Sequence, residues 1–76
     1  MSIKRVTHNS IVDALDAILR SLYNYEQKFH IPSDEFYRGY LEGKFEDTKD
    51  FVEWAGDYQH YLDLKRELEE KLKVSL

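Results

Sequence analysis

Apolar residues recur along this chain at helical spacing. Ile11, Leu15, Ile18, Leu22, Tyr25 and Phe29 alternate steps of four and three, and Val12, Ala14 and Leu19 widen the stripe. Such a period marks an amphipathic helix with one face turned toward a core. Ser10 followed three residues later by Asp13 reads as its start. Pro32 biases Ile31 toward extended backbone and places the end near His30, so the expected span is 11–29.

A second, shorter pattern follows at once. Ser33 is a natural N-cap, Asp34 and Glu35 stand where a helix dipole favours negative charge, and Gly43 is placed to stop the segment. Phe36, Tyr37, Tyr40 and Leu41 fall on one stripe between them, predicting a helix over 33–43. A third helix begins at Asp47 or Asp50, either of which can cap it, and spans about 48–73. With Phe51 as heptad position a, Tyr58, Lys65 and Leu72 follow at a and Trp54, Tyr61 and Leu68 at d. Only Lys65 interrupts this seam. Glu67 with Lys71 and Glu69 with Lys73 support the last turns. Gly56 costs ~1 kcal/mol relative to alanine inside a helix, which points to a bend or a close backbone approach there.

The expected architecture is all-α: one domain over residues 1–76, two long amphipathic helices and a short one between them. Residues 1–9 read either as a short strand or as disordered chain. A strand leading into a helix resembles a ribbon-helix-helix start, but the Pro32 break and the third helix do not fit that motif.

Size adds a constraint. A third helix of this span is ~39 Å long at 1.5 Å per residue. A compact domain of 76 residues has a radius of gyration of roughly 11 Å and a diameter near 30 Å. The third helix is therefore expected to overhang its own core with Leu68 and Leu72 still apolar, covered by another chain that is either a second copy or a different protein; these two are the candidate self-association residues of a homo-oligomer. A chain this short has a marginal core, and without cysteine neither disulfides nor thiolate zinc sites can reinforce it.

The net charge of −4 is unevenly spread. Residues 33–57 carry eight acids against Arg38, Lys44 and Lys49, while the acids and bases of residues 58–76 balance. An acidic middle argues against a binder of phosphate backbones, which relies on clustered Lys and Arg, and suits a basic protein partner. No apolar run approaches the ~20 residues of a membrane span, and the N-terminal segment lacks the apolar stretch of a signal peptide. The expected location is the cytoplasm.

Candidate chemistry is sparse. His8, His30 and His60 lie far apart, outside metal-binding spacings, and there is no nucleophile elbow or phosphate loop. Asp57 and His60, with Glu53 one turn earlier, share a helical face, an arrangement that solvated helices supply by chance. No enzyme activity, cofactor or metal is expected. The aromatic residues have two readings, as core packed on the first helix or as anchors at a protein contact. The candidate partner-binding set is Phe36, Tyr37, Tyr40, Glu46, Asp47, Asp50, Trp54, Tyr58 and Tyr61.

The run YEQKFHIPSDEFYRGYLEGKFEDTKDFVEWAGDYQHYLDLKRELEEKL, residues 25–72, resembles a group of small prokaryotic helical proteins of cyanobacteria and archaea. The resemblance rests on Tyr25, Glu26, Lys28, Ser33 and Glu35, then on Phe36, Tyr37, Gly43, Asp47, Asp50, Phe51, Glu53, Trp54, Ala55, Tyr58, Tyr61, Leu64 and Leu68, with the group's FY…G…DF…EWA…Y…Y spacing. Here His30-Ile31-Pro32 replaces a glycine-containing turn, and Phe45, Glu46 and Gly56 depart from the pattern. Members of the group are suspected antitoxins of toxin–antitoxin pairs. The resemblance implies a helical fold and an antitoxin-like role, neutralising a small basic protein such as an RNase toxin. The alternative is a self-associating helical scaffold, a homodimer without a toxin partner.

Overall fold

The computed structural model describes residues 10–75, which form three helices: α1 (Ser10–Phe29), α2 (Ser33–Leu41) and α3 (Lys49–Ser75). The all-α expectation holds, with a short helix between two long ones. Residues 1–9, expected as strand or disordered chain, lie outside the described residues. None of the described helices is long and apolar enough to cross a membrane.

Local chemistry sets each boundary. α1 ends where His30 enters the left-handed region at φ 60°, with its N–H still bonded to the Glu26 carbonyl at 2.8 Å. This is the single-bond left-handed helix end, with histidine in the place glycine usually takes. α2 does not begin with Ser33 as its cap. Pro32 holds the cap position, and the Ser33 N–H donates to Glu26 Oε2 at 2.7 Å, so a carboxylate of α1 covers the positive start of α2.

α2 closes with Gly43 at φ 81°, where the Lys44 N–H reaches the Gly39 carbonyl at 2.9 Å and the Gly43 N–H reaches Tyr40 at 3.0 Å. That pair of bonds is a Schellman end. α3 is capped by Thr48, whose Oγ1 accepts the Phe51 N–H at 3.2 Å, and not by Asp47 or Asp50.

α1 and α3 run antiparallel in one register. Lys28 pairs with Asp50, Tyr25 with Glu53 and Ser21 with Asp57, so each step forward on α3 is matched by an equal step back on α1. Continued, that register sets Leu64 level with Ala14 and Leu68 level with Ser10. Leu72 then lies a full turn past the start of α1, as the expected overhang requires. The radius of gyration is 15.0 Å and the extents are 47 × 29 × 17 Å, longer and thinner than a compact sphere of this mass.

The core gathers at the other end, around Trp54. Phe36 stacks on the indole with centroids 3.9 Å apart and planes 4° from parallel, and Phe29 and Tyr25 lie at 5.6 and 5.5 Å. Trp54 and Phe36 have no exposed surface. The indole N–H, which would be costly to bury unpaired, donates to Ser33 Oγ at 2.9 Å. Phe45 and Phe51 close the cluster against Phe36, with centroids 5.0 and 5.3 Å from it.

The two helical glycines have opposite surroundings. A Cβ on Gly39 would stand 2.8 Å from the Phe45 ring, so the close approach is here. A Cβ on Gly56 would meet nothing within 4 Å, so the close approach expected there is not found. One substitution should therefore act with opposite signs. Gly39→Ala is expected to destabilise, because ~1–3 kcal/mol of overpacking outweighs the propensity gain. Gly56→Ala should add roughly 0.5–1 kcal/mol. Denaturant midpoints of the two variants check both signs.

Candidate functional site

The turn from α2 into α3 carries the acidic candidates. Residues 42–48 wrap around Phe45, whose ring is fixed between Phe36 and Phe51, so the loop is held by the core beneath it. Glu42, Glu46 and Asp47 are exposed on this turn. Lys44 compensates Glu42 at 3.1 Å, and Asp47 accepts the Tyr40 hydroxyl at 2.8 Å. Asp50 faces α1, where it pairs with Lys28 at 2.7 Å. Of the three candidate acids, Glu46 and Asp47 present charge outward, and Asp50 joins two helices.

The aromatic candidates divide by depth. Phe36 and Trp54, expected at the contact surface, are wholly enclosed, because together they bring three helices into van der Waals contact. They influence a partner only through the shape they impose. Tyr37 and Tyr58 pack at 5.0 Å, Tyr58 and Tyr61 at 5.5 Å, and all three remain half-buried. The Tyr37 hydroxyl donates to Gln59 at 3.1 Å. Rings held this way offer contact surface without losing much rotamer freedom on binding.

Tyr58 and Tyr61 line a groove of about 470 Å³ with Leu19, Leu22 and Tyr23 of α1 and Ser33 and Asp34 at the start of α2. Sequence reasoning assigned Leu19 to the core stripe of α1, yet it is 50% exposed and Tyr23 is 59% exposed. The stripe is wider than α3 alone can cover. Its extra width was the available signal for this groove. Leu68 is half-buried, and Leu72 is 57% exposed on the overhang.

Asp57 turns to α1 and accepts the Ser21 hydroxyl at 2.6 Å, Glu53 accepts the Tyr25 hydroxyl at 3.4 Å, and His60 is exposed. Among the described residues no group of three or more His, Cys, Asp or Glu could hold a metal ion. No family model, curated protein or solved structure matches this chain.

Three phenols carry the electrostatic imprint of this arrangement. Burial first, then the carboxylates of Glu53, Asp57 and Asp50, raise the Tyr25 pKa above its ordinary value. Burial and Asp34 raise that of Tyr58, against a smaller opposing effect of Arg38, and the bond to Asp47 raises that of Tyr40. In each the neutral phenol is favoured by folding. The associated stability is complete below the ordinary value of 10.0 and falls as pH rises through the folded values. An ultraviolet titration of phenolate absorbance should show these tyrosines ionising late. Tyr25→Phe, Tyr40→Phe and Tyr58→Phe should each remove a late-ionising component.

Proposed function

We propose that this chain is a cytoplasmic protein-binding module of antitoxin-like type, which holds a small basic partner, such as an RNase toxin, against its acidic end and occludes it. The observation that carries this reading is the exposed acidic turn, with Glu46 and Asp47 outward, mounted on the aromatic cluster of Phe36, Phe45 and Phe51. A charged surface that does not have to be ordered on binding loses less entropy in the complex. Carboxylates there would speed encounter with a cationic surface, and the half-buried Tyr40, which bonds Asp47, would supply contact area beside them. The resemblance of residues 25–72 to suspected antitoxins supplies the class of partner.

A second reading, a self-associating helical scaffold with no toxin partner, is favoured by the uncovered apolar side chains of α1 and the α3 overhang. Affinity capture with the tagged chain from lysate of its source cell separates the two. The first reading predicts a small basic protein at near-equal stoichiometry, with association slowed about tenfold on raising salt from low to high. Glu46→Lys with Asp47→Lys should release that protein while leaving the helical circular dichroism intact. Asp50 is left unchanged because its partner Lys28 ties α3 to α1. Recovery of nothing but further copies of the chain would overturn the first reading in favour of the scaffold.

A further inference from the structure

The groove at the start of α2 joins aromatic surface to charge of one sign. Tyr23 of α1 and Tyr58 and Tyr61 of α3 stand along it, with Leu19 and Leu22 adding apolar surface, and its charged members are Glu26 and Asp34. No lysine, arginine or histidine lines it. At about 470 Å³ it has room for an extended side chain together with part of the backbone that carries it.

Neither carboxylate is firmly neutralised. Glu26 is half-buried and forms no ion pair among the described residues. Its Oε2 accepts the Ser33 N–H at 2.7 Å at the partly positive start of α2, and no described residue donates to its Oε1. Asp34 meets Arg38 at 4.0 Å with both side chains exposed, a loose surface pair that an incoming cation can replace. Tyr58 feels both acids. Burial is the first cause of its raised pKa, and Asp34, Tyr61 and Glu26 add to it against the opposing effect of Arg38.

We propose that this groove receives the side chain of an arginine from a protein partner, its guanidinium laid against the tyrosine rings and donating to Glu26 and Asp34. A guanidinium is planar, permanently charged and weakly hydrated, and it can stack on a phenol ring while its fork of N–H groups reaches carboxylates beside that ring. Other occupants fit less well. A phosphate or carboxylate is repelled by the two acids, and a wholly apolar segment would bury the Glu26 charge without a cation. Free arginine brings a carboxylate of its own into the same field, so the arginine is one held in a peptide chain.

The groove lies at the start of α2 and the acidic turn follows its end, about 13 Å away along nine residues of helix. A partner that spans both meets steering charge at one end and a socket for a single side chain at the other. The source of the arginine rests on the protein-binding reading above, while Glu46 and Asp47 take no part in holding it.

Titration of the chain, followed by nuclear magnetic resonance, with a capped peptide holding one arginine between alanines tests the proposal. The same peptide with citrulline, which keeps the outline of arginine without its charge, is the control. The arginine peptide is expected to shift the ring protons of Tyr23, Tyr58 and Tyr61 saturably, and the citrulline peptide to bind at least about tenfold more weakly. Tyr23→Ala and Asp34→Asn, both at exposed positions, should keep the helical circular dichroism and each weaken binding about threefold. Glu26→Gln, which keeps an acceptor for the Ser33 N–H, should act in the same direction. Equal binding of the two peptides overturns the proposal, and so does an arginine peptide that shifts nothing in the groove. Shifts confined to residues 42–48 overturn it too, while leaving the acidic turn standing as a contact for a basic partner.

Discussion

The fold depends on how Trp54 is buried. An indole with no exposed surface needs flat apolar neighbours and one acceptor for its N–H, and meeting that need draws three helices together. Tyr25 and Phe29 come from α1, Phe36 and Ser33 from α2, and the indole itself from α3. The Ser33–Trp54 bond also explains why Ser33 does not cap its own helix, since its hydroxyl is engaged with the indole. Glu26 takes over the capping role from α1, which fixes the angle at which α2 leaves the His30–Pro32 turn. Backbone strain at His30 is tolerated because this turn must bring Ser33 and Phe36 over the indole.

Placing the whole aromatic cluster at one end has a consequence for the other. α2 is nine residues long and covers only the part of the layer nearest Trp54. Beyond it α1 leaves Val12, Leu19 and Tyr23 exposed and α3 leaves Leu72, a condition that small domains generally relieve by association. The molecule is thus polarised, with the acidic turn at the aromatic end and exposed apolar side chains of α1 and the α3 overhang at the other. Two different contacts can be served without competing for the same residues.

Much of the helical framework was legible in the sequence because helix periodicity is local. The stripe from Ile11 to Phe29, the Pro32 break and the Gly43 stop all appear at their expected places, and helix length against domain size anticipated the overhang. What was not legible is long-range. Capping of α3 by Thr48 competes with two nearby aspartates, and only the finished structure shows Asp47 drawn to Tyr40 and Asp50 to Lys28. Phe36 and Trp54 carry the composition of an interface hot spot, and which side of a helix is covered depends on where α2 folds. Gly39 and Gly56 look alike in sequence, and only the position of Phe45 separates them.

Native-state hydrogen exchange at low protein concentration tests the polarised architecture most directly. The account predicts amides around Trp54 protected far more strongly than those of residues 62–72 of α3, which α2 does not cover. Protection of residues 62–72 equal to that around Trp54 would contradict it, because the overhanging half would then be complete in a single copy.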